Sequence, residues 1–437
     1  MSDAKVNFMG TLLRRVGEAI AQNVRERETS NQPVLNTEGE RQWATAWLDT
    51  DIRRFDDEQV RAGQEPPFTD LEVDALIERT LDVQFGAGSL QQYLNDDNVQ
   101  DIHVNGSNSV WIKYRDGSRS QVGAVADNDD ELLEIMQNLA RTRGRHEQKL
   151  DFGSPVVDMQ LPNGDRLNAM CSLSSRPVMV IRRHDFSIAS LEALEERGMI
   201  TPGIKLFLRA CVKAQRNIIV SGGTGTGKTT MLRALLNECA PEERIVTIED
   251  NLEIGLSRFP ELHPNLVETE SRKPNLEGVG GIPLSQLVQH SLRQDPDRVV
   301  VGECRGAETV PMLLAMSQGN DGSMTTIHAD SSASVFDRIR AYAASLHEPS
   351  IQPEHTDLLI RDAVHFVVHI GFNQAKTRVV QSIREVDTGN ERQLGSNEVF
   401  APGPDGMAQP HIGVAGERHQ RALKETGYDY LRASRSL

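Results

Sequence analysis

Cysteines and long apolar runs are scarce in this chain of 437 residues. Its four cysteines form no Cys-x-x-Cys pair, so the sequence indicates neither a disulfide framework nor a cysteine zinc site. No window approaches about 18 uninterrupted apolar residues, and charged residues interrupt the apolar positions of residues 1–25. We therefore expect neither a membrane-spanning helix nor an export signal. The free thiols and the missing signal together predict a cytoplasmic protein.

Basic residues are outnumbered by acidic ones. The chain has 47 Lys and Arg against 63 Asp and Glu, which gives a formal net charge of −16. Such an excess of carboxylates repels phosphate backbones unless a local basic patch overrides it, so we expect no direct nucleic-acid partner. The apolar fraction of 38% and the charged fraction of 25% are compatible with a folded protein. The length predicts two or three domains.

The first half of the chain changes from helical periodicity to short strand-like runs. Residues 7–24 place apolar side chains on one helical stripe, and polar residues 28–40 interrupt it. Thr69 and Glu72 form a capping box ahead of another apolar stripe. After residue 98, short β-rich runs separated by turn residues predict an α+β domain.

From residue 217 onward, short apolar runs alternate with helical patterns, as expected of a parallel sheet covered by helices. The predicted strands are Asn217–Ser221, Arg244–Ile248, Arg298–Gly302 and Met324–Ile327. The predicted segments are an N-terminal helix with a flexible linker (1–40), a helical region (41–97), an α+β domain (98–185), a linker (186–200) and an α/β domain with a C-terminal extension (201–437).

A glycine-rich phosphate-binding motif, G-x-x-x-x-G-K-[ST], spans Gly222 to Thr229 between a predicted strand and a predicted helix. Its glycines allow backbone N–H groups to wrap round phosphates, and the helix adds its positive dipole end. Lys228 should reach the β- and γ-phosphates, and the Thr229 hydroxyl should ligate Mg²⁺. We predict ATP and Mg²⁺ as ligands. The predicted nucleotide-binding residues are Gly222, Gly223, Thr224, Gly225, Thr226, Gly227, Lys228, Thr229 and Thr230.

Hydrolysis also needs acidic groups near the γ-phosphate. Glu303 ends the apolar strand that begins at Arg298, where ligand sites of α/β sheets lie. A second acidic cluster, Glu249-Asp250-Asn251-Leu252-Glu253, directly follows another strand. His328 follows a further strand, beside a glycine-rich turn, and is a candidate γ-phosphate sensor. The alternatives are a solvated surface run for each acidic cluster and a structural role for the histidine.

Four segments together resemble the Walker A, Asp box, Walker B and His box of the type II/type IV secretion and pilus ATPases. They are the P-loop, I-E-D-N-L-E, V-V-V-G-E-C-R-G and G-N-D-G-S-M-T-T-I-H-A-D. The resemblance covers roughly residues 70–390 and is closest to the CpaF-like motor ATPases of tight-adherence (Flp) pili, on the segments 158–168 and 263–278. Asn251 and Cys304 depart from the family pattern without removing a group that the chemistry needs.

The resemblance implies a RecA-like α/β P-loop NTPase domain preceded by an α+β N-terminal domain and an N-terminal helical region. It also implies that Glu253 activates or orients water, that Glu303 works with Mg²⁺ and that His328 contacts or senses the nucleotide.

Five arginines are candidates for closing onto the nucleotide. Arg166, Arg182 and Arg183 match basic positions of the family's N-terminal domain, and their alternative is a set of ordinary surface charges. Arg272 and Arg305 are weaker candidates on the same ground.

The resemblance implies a cytoplasmic homo-hexameric motor ATPase at the inner face of the cytoplasmic membrane. ATP hydrolysis would act on a polytopic inner-membrane platform protein, and the motor would meet the membrane only peripherally, through this partner. The alternatives are a conjugation-type secretion ATPase, a nucleotide-dependent scaffold with little turnover and, third, a DNA-binding motor.

The helix predicted at residues 7–24 lies outside the resemblance. Its apolar stripe would dock on the membrane partner, lie on the bilayer or pack against its own domain, and we expect a contact with protein.

Overall fold

A computed structural model of the chain divides into two compact units, Met1–His184 and Asp185–Leu437. The structure describes residues 3–30, 32–33, 35, 37–85, 88–142, 149–161, 164–183, 190–272, 274, 279–345, 352–387, 394–411, 413–414 and 416–429. In these ranges, no helix combines the length and the apolar character that crossing a bilayer requires.

Helices form the N-terminal part of the first unit. The helices of this unit are α1 (Asp3–Thr29), α2 (Thr37–Arg61), α3 (Asp70–Phe85), α4 (Gln91–Leu94) and α5 (Asp129–Thr142). The predicted capping box is confirmed, because the Thr69 amide donates to Glu72 Oε2 over 2.9 Å and the Glu72 amide donates to Thr69 Oγ1 over 3.3 Å.

The apolar stripe of α1 packs within its own unit. Phe8, Leu12 and Val16 are buried in one cluster with side chains of α2 and α3. Of the three alternatives for this stripe, packing against its own domain is the one that these residues show. The predicted linker 28–40 is also shorter than expected, since α1 ends at Thr29 and α2 begins at Thr37.

A six-stranded antiparallel sheet forms the rest of the first unit, in the order β3-β2-β1-β6-β5-β4. Val83 of α3 and Leu139 of α5 share one core with the sheet residues Ile102 and Ile181. The helical region predicted at 41–97 and the α+β domain predicted after it thus belong to one unit, because the helices and the sheet bury their apolar faces in one core. The strands are β1 (Val99–Asn105), β2 (Val110–Tyr114), β3 (Arg119–Val122), β4 (Val156–Gln160), β5 (Arg166–Met170) and β6 (Val178–Arg182).

The second unit begins with a helix in the segment predicted as a linker. Helix α6 (Leu191–Glu196) is capped by the Ser190 hydroxyl, and its Leu191 and Leu194 are buried in the core of the second unit. Residues 190–200 are therefore part of that unit. The other helices are α7 (Pro202–Lys213), α8 (Lys228–Leu236), α9 (Leu284–Ser291), α10 (Thr309–Ser317), α11 (Ser334–Ala344), α12 (Pro353–Ala363) and α13 (Glu417–Glu425).

A nine-stranded sheet organises this unit, in the order β15-β14-β13-β12-β7-β11-β10-β8-β9. In sheet order, the six strands β12, β7, β11, β10, β8 and β9 are parallel. Strands β12, β13, β14 and β15 form an antiparallel meander. The inner parallel strands β7, β8, β10, β11 and β12 are largely buried because helices cover both faces, whereas the edge strand β9 is only partly buried. The strands are β7 (Ile218–Gly222), β8 (Ile245–Glu249), β9 (Leu266–Glu270), β10 (Arg298–Cys304), β11 (Met324–Ile327), β12 (Phe366–Phe372), β13 (Arg378–Asp387), β14 (Gly395–Pro402) and β15 (Ala408–Pro410).

Candidate functional site

The glycine-rich loop joins the central strand β7 to helix α8. A Cβ atom on Gly222 would lie 2.4 Å from the carbonyl oxygen of Ile370 on the neighbouring strand β12, so only glycine fits there. Gly225 has φ +75° and Gly227 has φ +96°, which is backbone that favours glycine. The loop is therefore a close-fitting backbone turn at the N-terminus of a helix, as a phosphate cradle requires.

Lys228 is folded back onto this loop. Its Nζ donates to the carbonyl oxygens of Gly222 over 3.2 Å and of Gly223 over 3.1 Å, and Thr226 Oγ1 donates to the same Gly223 carbonyl over 2.9 Å. Burial lowers the pKa of Lys228, and the Glu303 carboxylate opposes that shift.

His328 lies between Lys228 and Glu303. The Lys228 Nζ is 3.3 Å from His328 Nδ1 and 3.4 Å from Nε2, and His328 Nε2 is 3.0 Å from Glu303 Oε1. Sheet order explains this grouping, because the strand β11 before His328 lies between the P-loop strand β7 and the strand β10 that carries Glu303. Three predicted site residues from three separate motifs thus meet at the carboxyl edge of the sheet.

The loop residues fit a nucleotide polyphosphate. Gly223, Thr224 and Gly225 are exposed at the loop tip, and Thr229 and Thr230 are partly buried in the first turn of α8. Backbone N–H groups, a helix N-terminus and a lysine are the groups that bind phosphates.

Oxygen donors for Mg²⁺ are also present in the site. Mg²⁺ is commonly held by one or two protein oxygens together with substrate phosphates. The side-chain oxygens of Thr229 and Glu303 are of this type and would hold the ion, which would neutralise charge on the phosphates.

The acidic cluster after β8 places its three carboxylates in different surroundings. Glu249 is buried, and its Oε2 accepts hydrogen bonds from the amides of Glu253 and Ile254, each over 2.9 Å. Burial raises the pKa of Glu249 to about 8. Asp250 pairs with Arg305, and Glu253 is partly buried. The cluster is therefore built into the fold and is not the solvated surface run considered as its alternative.

The two candidate arginines of the second unit contact neighbouring loops. Arg305 pairs with Asp250, which also accepts a hydrogen bond from Ser271 Oγ over 2.6 Å. Arg272 forms a β-bridge with Ile282. Asp250 thus links Arg305 to the acidic cluster.

The three candidate arginines of the first unit also have partners there. Arg166 pairs with Asp158 and Arg182 with Asp101, each over 3.1 Å. Arg183 donates to the Asp96 carbonyl oxygen and is 12% exposed, whereas Arg182 is 59% exposed. Of these three arginines, Arg182 has the most exposed side chain.

Two contacts of the P-loop were not predicted. Arg378 Nε, at the start of β13, donates to the Gly225 carbonyl oxygen over 2.9 Å. His369 Nδ1, on β12, lies 3.0 Å from Ser221 Oγ, immediately before the loop. Both side chains come from about 150 residues further along the chain, so no local motif signals them. The pairing of β12 with β7 brings His369 to the loop, and the pairing of β13 with β12 brings Arg378.

The fold and the site define a P-loop nucleotide-binding protein of the α/β class. The family Type II/IV secretion system protein matches residues 84–370. The chain belongs to this family.

Two relatives and one solved structure illustrate the similarity. A "Putative conjugal transfer protein" of Mycobacterium tuberculosis is 34% identical over 308 residues, which cover 68% of this chain and 84% of that protein. The type IV secretion system protein VirB11 of Brucella abortus is 28% identical over 296 residues, covering 61% of this chain and 78% of the relative. The crystal structure of the VirB11 ATPase of Brucella suis in complex with sulphate has a TM-score of 0.36 and 25% identity, covering 71% of this chain and 96% of that chain.

Proposed function

We propose that the chain binds and hydrolyses ATP in the presence of Mg²⁺ as the motor of a secretion or pilus-assembly system. The observation that carries this proposal is the convergence of Lys228, His328 and Glu303 at the mouth of the P-loop, with Lys228 and Glu303 each within 3.4 Å of the histidine ring. Membership of the secretion family supports it.

The proposed roles follow from chemistry and position. The P-loop amides and Lys228 bind the β- and γ-phosphates, and Glu253 orients the attacking water. His328 contacts the γ-phosphate side of the site, where it exchanges its present contact with Lys228 for one with the nucleotide. Glu303 and Thr229 provide oxygens for Mg²⁺.

Lys228→Ala tests the phosphate site. The lysine is the cation of the phosphate-binding motif and lies against its loop, so its removal should weaken ATP binding and lower phosphate release by at least about 100-fold. Phosphate release and ATP affinity would be measured on the full chain, with Mg²⁺ and with EDTA. Lys213→Ala, at the end of α7, is the matched control.

A Lys228→Ala variant that hydrolysed ATP at the wild-type rate would contradict the catalytic assignment. Tight ATP binding by the wild type without phosphate release, even with its partner present, would favour a nucleotide-dependent scaffold.

The motor is proposed to be a homo-hexamer at the inner face of the cytoplasmic membrane, acting on a polytopic platform protein. The resemblance of its four motifs to the secretion and pilus ATPases supports this assembly. The CpaF-like details in segments 158–168 and 263–278 favour assembly of a tight-adherence (Flp) pilus. Residues 273 and 275–278 of the second segment lie outside the described residues.

A conjugation-type secretion ATPase is the second candidate, because a relative with 34% identity carries a conjugal-transfer name. Deleting the gene and scoring surface pili and plasmid transfer separates the two: loss of pili alone supports the first, and loss of transfer alone supports the second.

A further inference from the structure

The backbone that carries Glu253 is held by two buried side chains, one on each side. On one side lies Glu249, the last residue of β8, which is 3% exposed. Its Oε2 accepts from the amides of Glu253 and Ile254, each over 2.9 Å. One carboxylate oxygen therefore fixes both N–H groups of this turn.

Arg233 holds the carbonyl groups of the same two residues. Its Nε donates to the Ile254 oxygen over 2.6 Å, and its Nη2 donates to the Glu253 oxygen over 2.9 Å. Arg233 is 2% exposed and lies on α8, five residues after Lys228. The turn is thus tied directly to the helix that begins at the phosphate-binding lysine.

The Glu249 side chain also packs against the strand that carries Glu303. A Cβ atom on Gly302 would lie 3.0 Å from Glu249 Cγ and 3.4 Å from its Oε2, so a larger residue would displace the carboxyl group. The groups that hold the Glu253 turn therefore lie against α8 and against β10, next to Glu303.

Burial of these groups has an energetic cost that a merely space-filling role does not explain. A buried carboxyl group loses its hydration, and in the described part of the chain Glu249 Oε1 has no hydrogen-bond partner. An apolar side chain would fill the same volume without that cost. What an apolar side chain lacks is the acceptor oxygen for the two amides.

We propose that Glu249 and Arg233 are positioning residues, which fix the backbone of Glu253 relative to the P-loop helix and so hold its carboxylate where it orients water. This inference rests on the proposed function, because it requires that Glu253 act in ATP hydrolysis. We name the pair the Glu253 bracket.

The Glu253 bracket predicts a specific kinetic pattern. The bracket hydrogen bonds described above hold the backbone of Glu253 and Ile254, so we expect ATP affinity to be preserved when the bracket is broken. The rate of hydrolysis should fall, since a displacement of about 1 Å at a catalytic group costs up to about 100-fold in rate.

Glu249→Met and Glu249→Gln form the matched pair that tests this pattern on the full-length chain. Methionine fills the volume but accepts no hydrogen bond, so kcat should fall by about 10- to 100-fold while KM and the ATP dissociation constant stay within about threefold. Glutamine keeps an acceptor oxygen for both amides, so kcat should stay within about threefold of wild type.

Arg233→Met tests the bracket from the other side and should give the same pattern as Glu249→Met. The control is Arg209→Met, on α7, where the arginine pairs with Glu238 and Glu192 away from the P-loop; its kcat should be unchanged. Arg233→Met also carries the test if Glu249→Met fails to fold by circular dichroism.

Three results would overturn the inference while leaving the proposed function intact. They are wild-type kcat in both methionine variants, equal losses in Glu249→Gln and Glu249→Met, or a loss of ATP affinity as large as the loss of kcat. A wild-type chain that released no phosphate would instead overturn the proposed function and the inference with it.

Discussion

His328 lies within 3.4 Å of the Lys228 ammonium and 3.0 Å from a Glu303 oxygen. In this arrangement the lysine is held by loop carbonyls and by the histidine, and ATP would offer it phosphate oxygens instead. We therefore expect nucleotide binding to rearrange this contact first. Each of these three residues was predicted from its own motif. Each lies at the end of an apolar run or a glycine-rich loop that can be recognised in the sequence.

The Glu253 bracket was not predicted, although the acidic cluster was. Arg233 and Glu253 are 20 residues apart and belong to different motifs, so periodicity gives no sign of their contact. From the sequence alone, Glu249 cannot be distinguished from the other acidic residues of its charged cluster. Only the fold shows that it is buried and accepts two amide hydrogen bonds.

His365 makes the stability of the protein depend on pH. Its Nδ1 accepts from the Asn217 amide over 2.9 Å, and burial lowers the pKa of His365 to about 2. The folded chain therefore keeps this histidine neutral while the unfolded chain protonates it below about pH 6.5. The stability contributed by the neutral form is present above pH 6.5 and is lost as the pH falls toward 2.

His365→Asn keeps an acceptor but does not titrate. Between pH 7.5 and 5.5 the wild type should lose about 1.4 kcal/mol more of its free energy of unfolding than the variant, as measured by urea denaturation. The control variant His411→Asn, which replaces an exposed histidine, should lose as much of its free energy of unfolding as the wild type. An equal loss in the wild type and His365→Asn would contradict the assignment.

At the scale of elements, the predictable strands were those with continuous apolar runs. Strands β7, β8, β10 and β11 are rich in apolar and β-branched residues and lie inside the sheet, so residue type alone revealed them. Strand β9 and the strands β12 to β15 were not predicted. Strands such as β9 and β14 are only partly buried and alternate weakly, whereas β12 is as apolar and buried as the strands that were predicted. Residues 190–200 of the predicted linker were misjudged because a short helix there buries just two leucines in the core of the second unit.

Helix α1 should stabilise the first unit through its buried stripe. Leu12 is 1% exposed and belongs to the cluster shared with α2 and α3. Leu12→Ala should lower the free energy of unfolding by about 2–5 kcal/mol, because it leaves a cavity in a packed core. The exposed Glu18→Ala should change it by less than about 0.5 kcal/mol. Equal, small effects of both variants in chemical denaturation would show that the stripe is not buried in solution.

At the scale of the whole molecule, the proposed hexamer would bring catalytic groups of different subunits together. Arg182 is the most exposed of the three candidate arginines of the first unit, and its ion pair with Asp101 is a contact that it would have to leave. The proposal that it acts on the nucleotide of a neighbouring subunit leads to a mixing experiment.

Arg182→Ala and Lys228→Ala chains should each be nearly inactive, and mixing them before assembly should restore part of the ATPase rate. The restored sites would combine the intact P-loop of one chain with the intact arginine of the other. Mixing Arg182→Ala with the double variant is the control and should restore nothing. No recovery in the first mixture would contradict an arginine acting between subunits.

Size measurement tests the assembly itself. Light scattering with ATP should report six copies of the 48.5 kDa chain. A mass that stayed at one copy at all nucleotide concentrations would contradict the proposed ring.

The central claim is that this chain hydrolyses ATP with the carboxylate of Glu253, whose backbone is tied to the P-loop helix. It is tested most directly by phosphate release from Glu253→Gln alongside ATP affinity. We predict that the variant binds ATP within about threefold of the wild type and releases phosphate at least about 100-fold more slowly, because a positioned base contributes that much to proton transfer. Unchanged phosphate release by Glu253→Gln would contradict the account.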